Sequence, residues 1–79
     1  MRILFFAQSK DAAETSELEM KITGNVGVNE IWEKLIATKP KLANFYKTTR
    51  LARNGEYAND KTKFTDTDEV VLIPPVSGG

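Results

Sequence analysis

The sequence contains no cysteine and no histidine. Without cysteine the chain has no disulfide framework and no thiolate metal site. The two absences together remove thiol nucleophiles and the usual general base. No pair of titratable residues converges in an evident motif, so we expect no bound metal or cofactor and no independent catalytic activity.

Long apolar runs and an excess of charge of one sign are also missing. No run approaches the ~20 apolar residues that a membrane span requires, and the N-terminal run from Ile3 to Ala7 is too short for a signal peptide. Eleven Lys and Arg residues balance eleven Asp and Glu residues, which argues against a general nucleic-acid binder. We therefore expect a cytoplasmic protein with neither a membrane nor a nucleic-acid partner.

The charges are nevertheless unevenly placed along the chain. Residues 34–53 contain six basic residues and no acidic one, whereas residues 64–79 contain three acidic residues and no basic one. This pattern is consistent with two solvated faces, or with an acidic end that docks into a basic partner.

Apolar residues make up 41% of the 79 residues and recur in patterned runs, which predicts one folded domain over residues 1–79 with a flexible C-terminal tail at 74–79. Arg2 to Ala7 and Glu69 to Ile73 are apolar on both faces, which predicts two central strands that are buried on both faces. Glu17 to Ile22 alternates strictly between charged and apolar residues, as a half-buried strand does, and follows closely enough to pair antiparallel with the first strand.

The middle of the chain predicts a helix followed by a hairpin. Apolar residues from Val28 to Ile36 have the spacing of an amphipathic helix that buries Trp32, with Gly27 as its N-cap and Pro40 ending it. Asn54-Gly55 is a strong signal for a two-residue turn between the strands Arg50–Arg53 and Glu56–Ala58. Two further segments, 8–14 and 42–46, have the composition of short helical turns, although the first is equally compatible with a loop.

The fold that accommodates these elements is an α+β β-grasp (ubiquitin-like) fold, a mixed sheet with one main helix packed across it. The two doubly apolar strands then lie side by side and parallel in the middle of the sheet. A split sheet with another strand order would leave the outer face of the last strand uncovered.

The C-terminal segment carries the most distinctive chemistry. Pro74 and Pro75 favour an extended exit from the domain, followed by Val76, Ser77 and the pair Gly78-Gly79. Glycine lets a backbone enter a narrow channel and approach a reactive centre closely. A Gly-Gly end is also compatible with a merely flexible terminus, but on a β-grasp domain it points to the Gly79 carboxylate as the reactive group.

Four segments together resemble the small sulfur-carrier subunit of molybdopterin synthase, the MoaD family. They are Ile3 to Gln8, the helix Val28 to Ala37, the hairpin Arg53 to Glu56, and Asp68 to Gly79 with its closing Pro-Pro-Val-Ser-Gly-Gly. The resemblance covers essentially the whole chain. The family often has arginine where Lys10 stands, and glycine where Glu14 and Thr67 stand. We expect the loss of glycine at 67 to cost turn stability, since threonine disfavours a positive φ.

The resemblance implies that an ATP-dependent adenylyltransferase activates the Gly79 carboxylate and that a sulfur donor converts it to a thiocarboxylate. The tail then enters the large, catalytic subunit of the synthase and delivers sulfur to a cyclic pterin precursor, forming the dithiolene of molybdopterin. It further implies a heterotetrameric assembly in which the catalytic acids and bases belong to the large subunit.

Strand parity suggests where a partner binds. If Ile3 and Phe5 point towards the helix, Phe6 points outward, and Ile73 does so just before the tail. Tyr57 on the return strand would complete an apolar surface, which is typical of an interface. With the opposite parity these residues would belong to the core.

Two other functions remain compatible with the sequence. One is a sulfur carrier for thiamine synthesis or tRNA thiolation, which keeps the fold and the chemistry but changes the client. The other is a ubiquitin-like protein modifier, which Gly79 would join to lysines of target proteins after the same adenylation.

Overall fold

The order of strands and helices follows the predicted one. The computed structural model describes residues 1–74. Its elements are β1 (Arg2–Leu4), α1 (Ala7–Ala13), β2 (Glu17–Glu19), α2 (Val28–Thr38), a 3₁₀ helix (Pro40–Phe45), β3 (Arg50–Arg53), β4 (Glu56–Tyr57) and β5 (Glu69–Ile73). Within residues 1–74, no helix has the length and apolar character needed to span a membrane.

The sheet has the order β2-β1-β5-β3-β4. β1 and β5 run parallel in its middle, with Ile3 opposite Val70, and the antiparallel neighbours β2 and β3 flank them. The predicted mixed sheet with adjacent parallel central strands is confirmed, and the split sheet is excluded. The sheet thereby joins the first strand of the chain to the last.

The core lies between the inner face of the sheet and the helical layer. Ile3, Phe5, Val70 and Leu72 are at most 1% exposed and share one cluster with Ile31, Trp32 and Leu35 of α2. Trp32 is a core residue, as predicted. Each such side chain contributes roughly 1.5–3 kcal/mol through burial, so the alternation of β1 and β5 largely determines which side of the sheet α2 covers.

The prediction that β1 and β5 are buried on both faces is wrong for the outer face. Leu4, Val71 and Ile73 are only half-buried there, and Arg2 is exposed. The physical reason is that the helical segments lie in one layer: the 3₁₀ helix contacts both α1 and α2, and all three contribute to the same core cluster. Within residues 1–74 no element covers the other side of the sheet.

The predicted turn and cap residues occupy the expected places. The Gly27 N–H donates to Glu30 Oε1 at 3.3 Å at the start of α2, and α2 ends just before Lys39-Pro40. Asn54 and Gly55 both have positive φ, at 48° and 91°, as a two-residue hairpin turn requires. The segment that was compatible with a helical turn or a loop forms α1.

Glu14, and not Thr67, occupies the position that favours glycine. Glu14 ends α1 in the left-handed conformation, with φ 60° and ψ 24°, whereas Thr67 is not among the residues with positive φ. The expectation that Thr67 strains its turn is therefore wrong, because the turn before β5 uses only ordinary backbone conformations at that residue.

We expect Glu14→Gly to raise the free energy of unfolding by about 0.5–1 kcal/mol, because glycine adopts the left-handed conformation without a steric penalty. Urea denaturation measures the change. Thr67→Gly is the matched control and should lower stability slightly, since there glycine only adds freedom to the unfolded chain. Equal effects of the two substitutions would contradict this explanation.

Candidate partner-binding face and tail exit

The strand that precedes the tail lies in the centre of the sheet, and we call its end at Ile73 and Pro74 the tail exit. Ile73 is the last residue of β5, which lies between β1 and β3, and the following Pro74 is exposed. The predicted tail residues Pro75, Val76, Ser77, Gly78 and Gly79 lie outside the described residues. The part of the site that the structure does describe is the outer face of the sheet beside this exit.

One row of small and apolar side chains crosses that outer face. The register pairs Leu4 with Val71, Val71 with Ala52, and Ala52 with Tyr57. Residues in register on neighbouring strands point to the same side of a sheet. Tyr57 is 57% exposed, so the row ends in a solvent-exposed aromatic ring.

A second row lies nearer the tail exit. Arg50 is opposite Ile73, and Phe6 stands two residues beyond Leu4 just as Ile73 stands two residues beyond Val71. Phe6 is 51% exposed and Ile73 is half-buried. Phe6, Tyr57 and Ile73 thus have the outward parity expected of them; their binding of a partner stays a prediction. We call the two rows together the outer apolar face.

A local cap holds Phe6 in its outward position. Ser9 Oγ donates to the Phe6 carbonyl at 2.7 Å and accepts from the Phe6 N–H at 3.3 Å. These bonds keep Phe6 extended, with φ −131° and ψ 157°, so the alternation of β1 continues through it. Sequence reasoning missed this role of Ser9, because a typical capping box has serine or threonine at the N-cap and glutamate or glutamine three residues later, and Phe6 with Ser9 does not match that pattern.

Asp68 anchors the hairpin that carries Arg50 and Tyr57. Its carboxylate accepts from Arg53 Nε at 2.8 Å, from Asn54 Nδ2 at 2.9 Å and from the Thr65 N–H at 2.8 Å. Burial alone would raise the pKa of Asp68, but these donors stabilise the charged form and lower the pKa to about 2. The carboxylate therefore ties the β3–β4 turn to the loop before β5.

Arg50 and Tyr57 form a second feature that the sequence did not reveal. The guanidinium carbon of Arg50 lies 4.4 Å from the centroid of the Tyr57 ring, within the range of a cation–π contact. The two residues are diagonal neighbours on β3 and β4, since Ala52 is opposite Tyr57. A positive charge is thus held at the edge of the outer apolar face, beside the tail exit.

The other end of the same face is charged and rich in carboxylates. Arg2 Nε donates to Glu17 at 2.7 Å, and its terminal nitrogen lies 3.3 Å from Glu69. The hydrogen bond and the charge of Glu17 raise the pKa of Arg2 above its ordinary value. Glu19, opposite Arg2 in the register, is close to the α-amino group of Met1 at 3.4 Å. Asp66 lies 3.3 Å from the same amino group, so the carboxylates around Arg2 and Met1 outnumber these two cations.

The described face has the composition of a binding surface. Within residues 1–74 no group of three or more His, Cys, Asp and Glu side chains is placed to hold a metal ion. The face is largely apolar and includes the two exposed aromatic rings of Phe6 and Tyr57. It is positively charged at the end near Arg50 and negatively charged at the opposite end. Such a surface can position a partner against the tail that leaves beside it.

Comparisons with known sequences find relatives over the whole chain. A model of the ThiS family matches residues 3–79. The molybdopterin synthase sulfur carrier subunit of Chlamydomonas reinhardtii is 35% identical over 81 residues, covering 100% of this chain and 98% of the relative.

Solved structures share the fold. SAMP1 from Haloferax volcanii superposes with a TM-score of 0.86 at 28% identity, covering 100% of this chain and 98% of that one. A chain in the complex of subunits 1 and 2 of molybdopterin-converting factor from Helicobacter pylori superposes with a TM-score of 0.67 at 23% identity, covering 99% and 96%. The predicted ubiquitin-like β-grasp fold is confirmed.

Proposed function

Because this chain belongs to the ThiS family, we propose that it is the sulfur-carrier subunit of molybdopterin synthase. The observation that carries the proposal is the full-length similarity to a curated sulfur carrier subunit. That similarity extends from the first strand through the Pro-Pro-Val-Ser-Gly-Gly end of the chain.

The proposed chemistry takes place on the main-chain carboxylate of Gly79. The carboxylate attacks the α-phosphate of ATP on an adenylyltransferase, and pyrophosphate leaves. A donor with sulfur at the oxidation level of sulfide then displaces AMP, which leaves a thiocarboxylate. A thiocarboxylate is a softer and better nucleophile than a carboxylate. Its sulfur attacks a carbon of the cyclic pterin precursor and displaces an oxygen substituent from that carbon. Water then cleaves the acyl–sulfur bond, which leaves the sulfur on the pterin and restores the carboxylate. The two sulfurs of the dithiolene require two such transfers.

The large subunit of the synthase is the proposed acceptor of the tail. The chain has neither histidine nor cysteine, so the acids and bases of sulfur transfer are assigned to that partner. A chain of the same fold is solved in a complex of subunits 1 and 2 of molybdopterin-converting factor, which supports such a pairing. The outer apolar face is the proposed contact surface because the tail exits beside it.

Intact mass spectrometry combined with reconstitution tests the proposal. After incubation with the adenylyltransferase, ATP and a sulfur donor, we expect the mass to rise by the difference between one sulfur and one oxygen atom. The thiolated protein should then form molybdopterin from the pterin precursor and the large subunit. If it is thiolated but forms no molybdopterin, the client is wrong, and thiamine synthesis or tRNA thiolation becomes the next assay.

The similarity to SAMP1 favours one second function, that of a protein modifier. The solved structures of this fold include one described as small archaeal modifier protein 1. Expression of the tagged protein distinguishes the two functions: a modifier yields a ladder of conjugates on an anti-tag blot, whereas a dedicated sulfur carrier yields a single band.

We expect Phe6→Ala to weaken binding to the large subunit at least about tenfold, because exposed aromatic residues often dominate an interface. Calorimetric titration measures the affinity. The midpoint of thermal unfolding should change little, since Phe6 is 51% exposed and only its backbone atoms, not its ring, bond to the Ser9 hydroxyl. Ile3→Ala, on the inner face of the same strand, should instead lose about 2–5 kcal/mol of stability. Unchanged binding by Phe6→Ala would remove this face from the interface.

A further inference from the structure

Arg50 differs from Arg2 and Arg53 in having no ion pair with an acidic group of residues 1–74. Arg2 and Arg53 each form ion pairs with carboxylates, whereas Arg50 makes none within 4.0 Å of any acidic group in residues 1–74. It is exposed and opposite Ile73, the last residue of β5 before the tail. Its charge is therefore free to meet a partner at the place where the tail departs.

The contact with Tyr57 orders this charge in advance. A free arginine loses rotamer freedom when it binds, and that loss weakens the interaction. The guanidinium carbon already lies 4.4 Å from the centroid of the Tyr57 ring. Part of the side-chain entropy of Arg50 is therefore already lost in the free protein, and less is lost on binding. Stacking on an aromatic face also leaves the edge of the guanidinium, with its fork of N–H donors, available to a carboxylate.

The distribution of charge on the face indicates the chemistry of the partner. Arg50 marks the tail end of the outer apolar face, and the carboxylates Glu17, Glu19 and Glu69 dominate its other end. A complementary surface is apolar in its centre, acidic where the tail enters, and basic at the far end. A partner rotated by half a turn would oppose like charges at both ends.

We infer that Arg50, ordered by Tyr57, is a specificity-determining residue that pairs with a carboxylate of the large subunit beside the entrance to its tail channel. The inference rests on the proposed function and deepens it. Apolar contacts alone have little directionality, whereas the pair of unlike charges at the two ends permits one orientation. In that orientation the tail points into the channel of the partner.

Charge reversal tests this role in the complete carrier and large subunit. We expect Arg50→Glu to raise the dissociation constant at least about tenfold, mainly through a slower association rate that no longer falls with added salt. Arg50→Lys should be intermediate, because it keeps the charge but not the planar fork. Tyr57→Phe should bind almost normally, while Tyr57→Ala should weaken binding by releasing the guanidinium.

Lys41→Glu is the matched control, since it makes the same change in net charge at an exposed position of the 3₁₀ helix. Normal binding by Lys41→Glu beside weakened binding by Arg50→Glu, with equal thermal midpoints, supports the inference. Equal affinities for the two variants overturn it, whether both are normal or both weakened, while the proposed function stands if the unaltered carrier binds and forms molybdopterin. Failure of the unaltered carrier to bind overturns both.

Discussion

Deletion of Gly79 is expected to abolish sulfur transfer and leave the domain folded. The truncated chain would end on Gly78, one residue short of the position at which the proposed activating enzyme and large subunit would act on the carboxylate. A carboxylate displaced by one residue from its reaction partner reacts orders of magnitude more slowly, because the reacting atoms must lie about 3–3.5 Å apart. The described strands end at Ile73, so the free energy of unfolding should be unchanged.

Intact mass and molybdopterin formation are the two readouts. Ser77→Ala is the control, since it alters the tail but keeps both glycines and its length; its activity should remain close to that of the unaltered protein. Thiolation of the truncated chain at a normal rate, followed by normal product formation, would contradict the role given to the Gly79 carboxylate.

Asp68→Asn is expected to cost about 2–3 kcal/mol of folding free energy at neutral pH. The substitution removes the charge that accepts three hydrogen bonds, and it turns an amide N–H₂ towards at least one donor. Urea denaturation measures the loss. Asp60→Asn provides the control at an exposed loop position and should be neutral. A small effect at Asp68 would mean that the turn does not depend on its charge.

The same carboxylate predicts a specific dependence of stability on pH. The pKa of Asp68 is about 2 in the folded protein, below the value of ~3.9 expected in the unfolded chain. Because the pKa of the carboxyl group is lower in the folded than in the unfolded state, the ionised form stabilises the fold at pH values above about 4. This contribution is lost as the pH falls from about 4 towards 2. The stability difference between the unaltered protein and Asp68→Asn should therefore be constant above pH ~5 and shrink below pH ~4. A difference that stays constant into strong acid would contradict the lowered pKa.

Local patterns in the sequence were sufficient to predict the arrangement of strands. Asn54-Gly55 indicated the hairpin because only residues that tolerate positive φ suit that turn. The apolar residues of β1 and β5 indicated central strands because edge strands rarely remain so apolar. Both predictions depend on neighbours in the chain or on burial summed over a whole strand.

The rest depended on contacts between distant residues. In the sequence Asp68 has only the pattern of a turn residue. Its neighbours along the chain do not indicate that Arg53 and Asn54 donate hydrogen bonds to it. The diagonal pairing of Arg50 with Tyr57 likewise requires the register of the hairpin. Val71 was expected to be buried by the chain itself, because an apolar residue on an open face of a sheet cannot be distinguished by sequence from one that the fold covers.

The pairing of β1 with β5 also has a consequence for how the protein is made. Arg2 and Glu69 are 67 positions apart, so the central ladder closes a loop that includes nearly the whole chain, a high-contact-order topology that folds slowly. During synthesis, β1 must wait without its parallel neighbour until residues 69–73 have left the ribosome. We therefore expect the central ladder to form only after β5 has been synthesised. A chain interrupted before β5 would expose the apolar residues of β1 to chaperones and proteases. Because the tail follows β5 directly, a chain that carries the tail also contains every strand of the sheet.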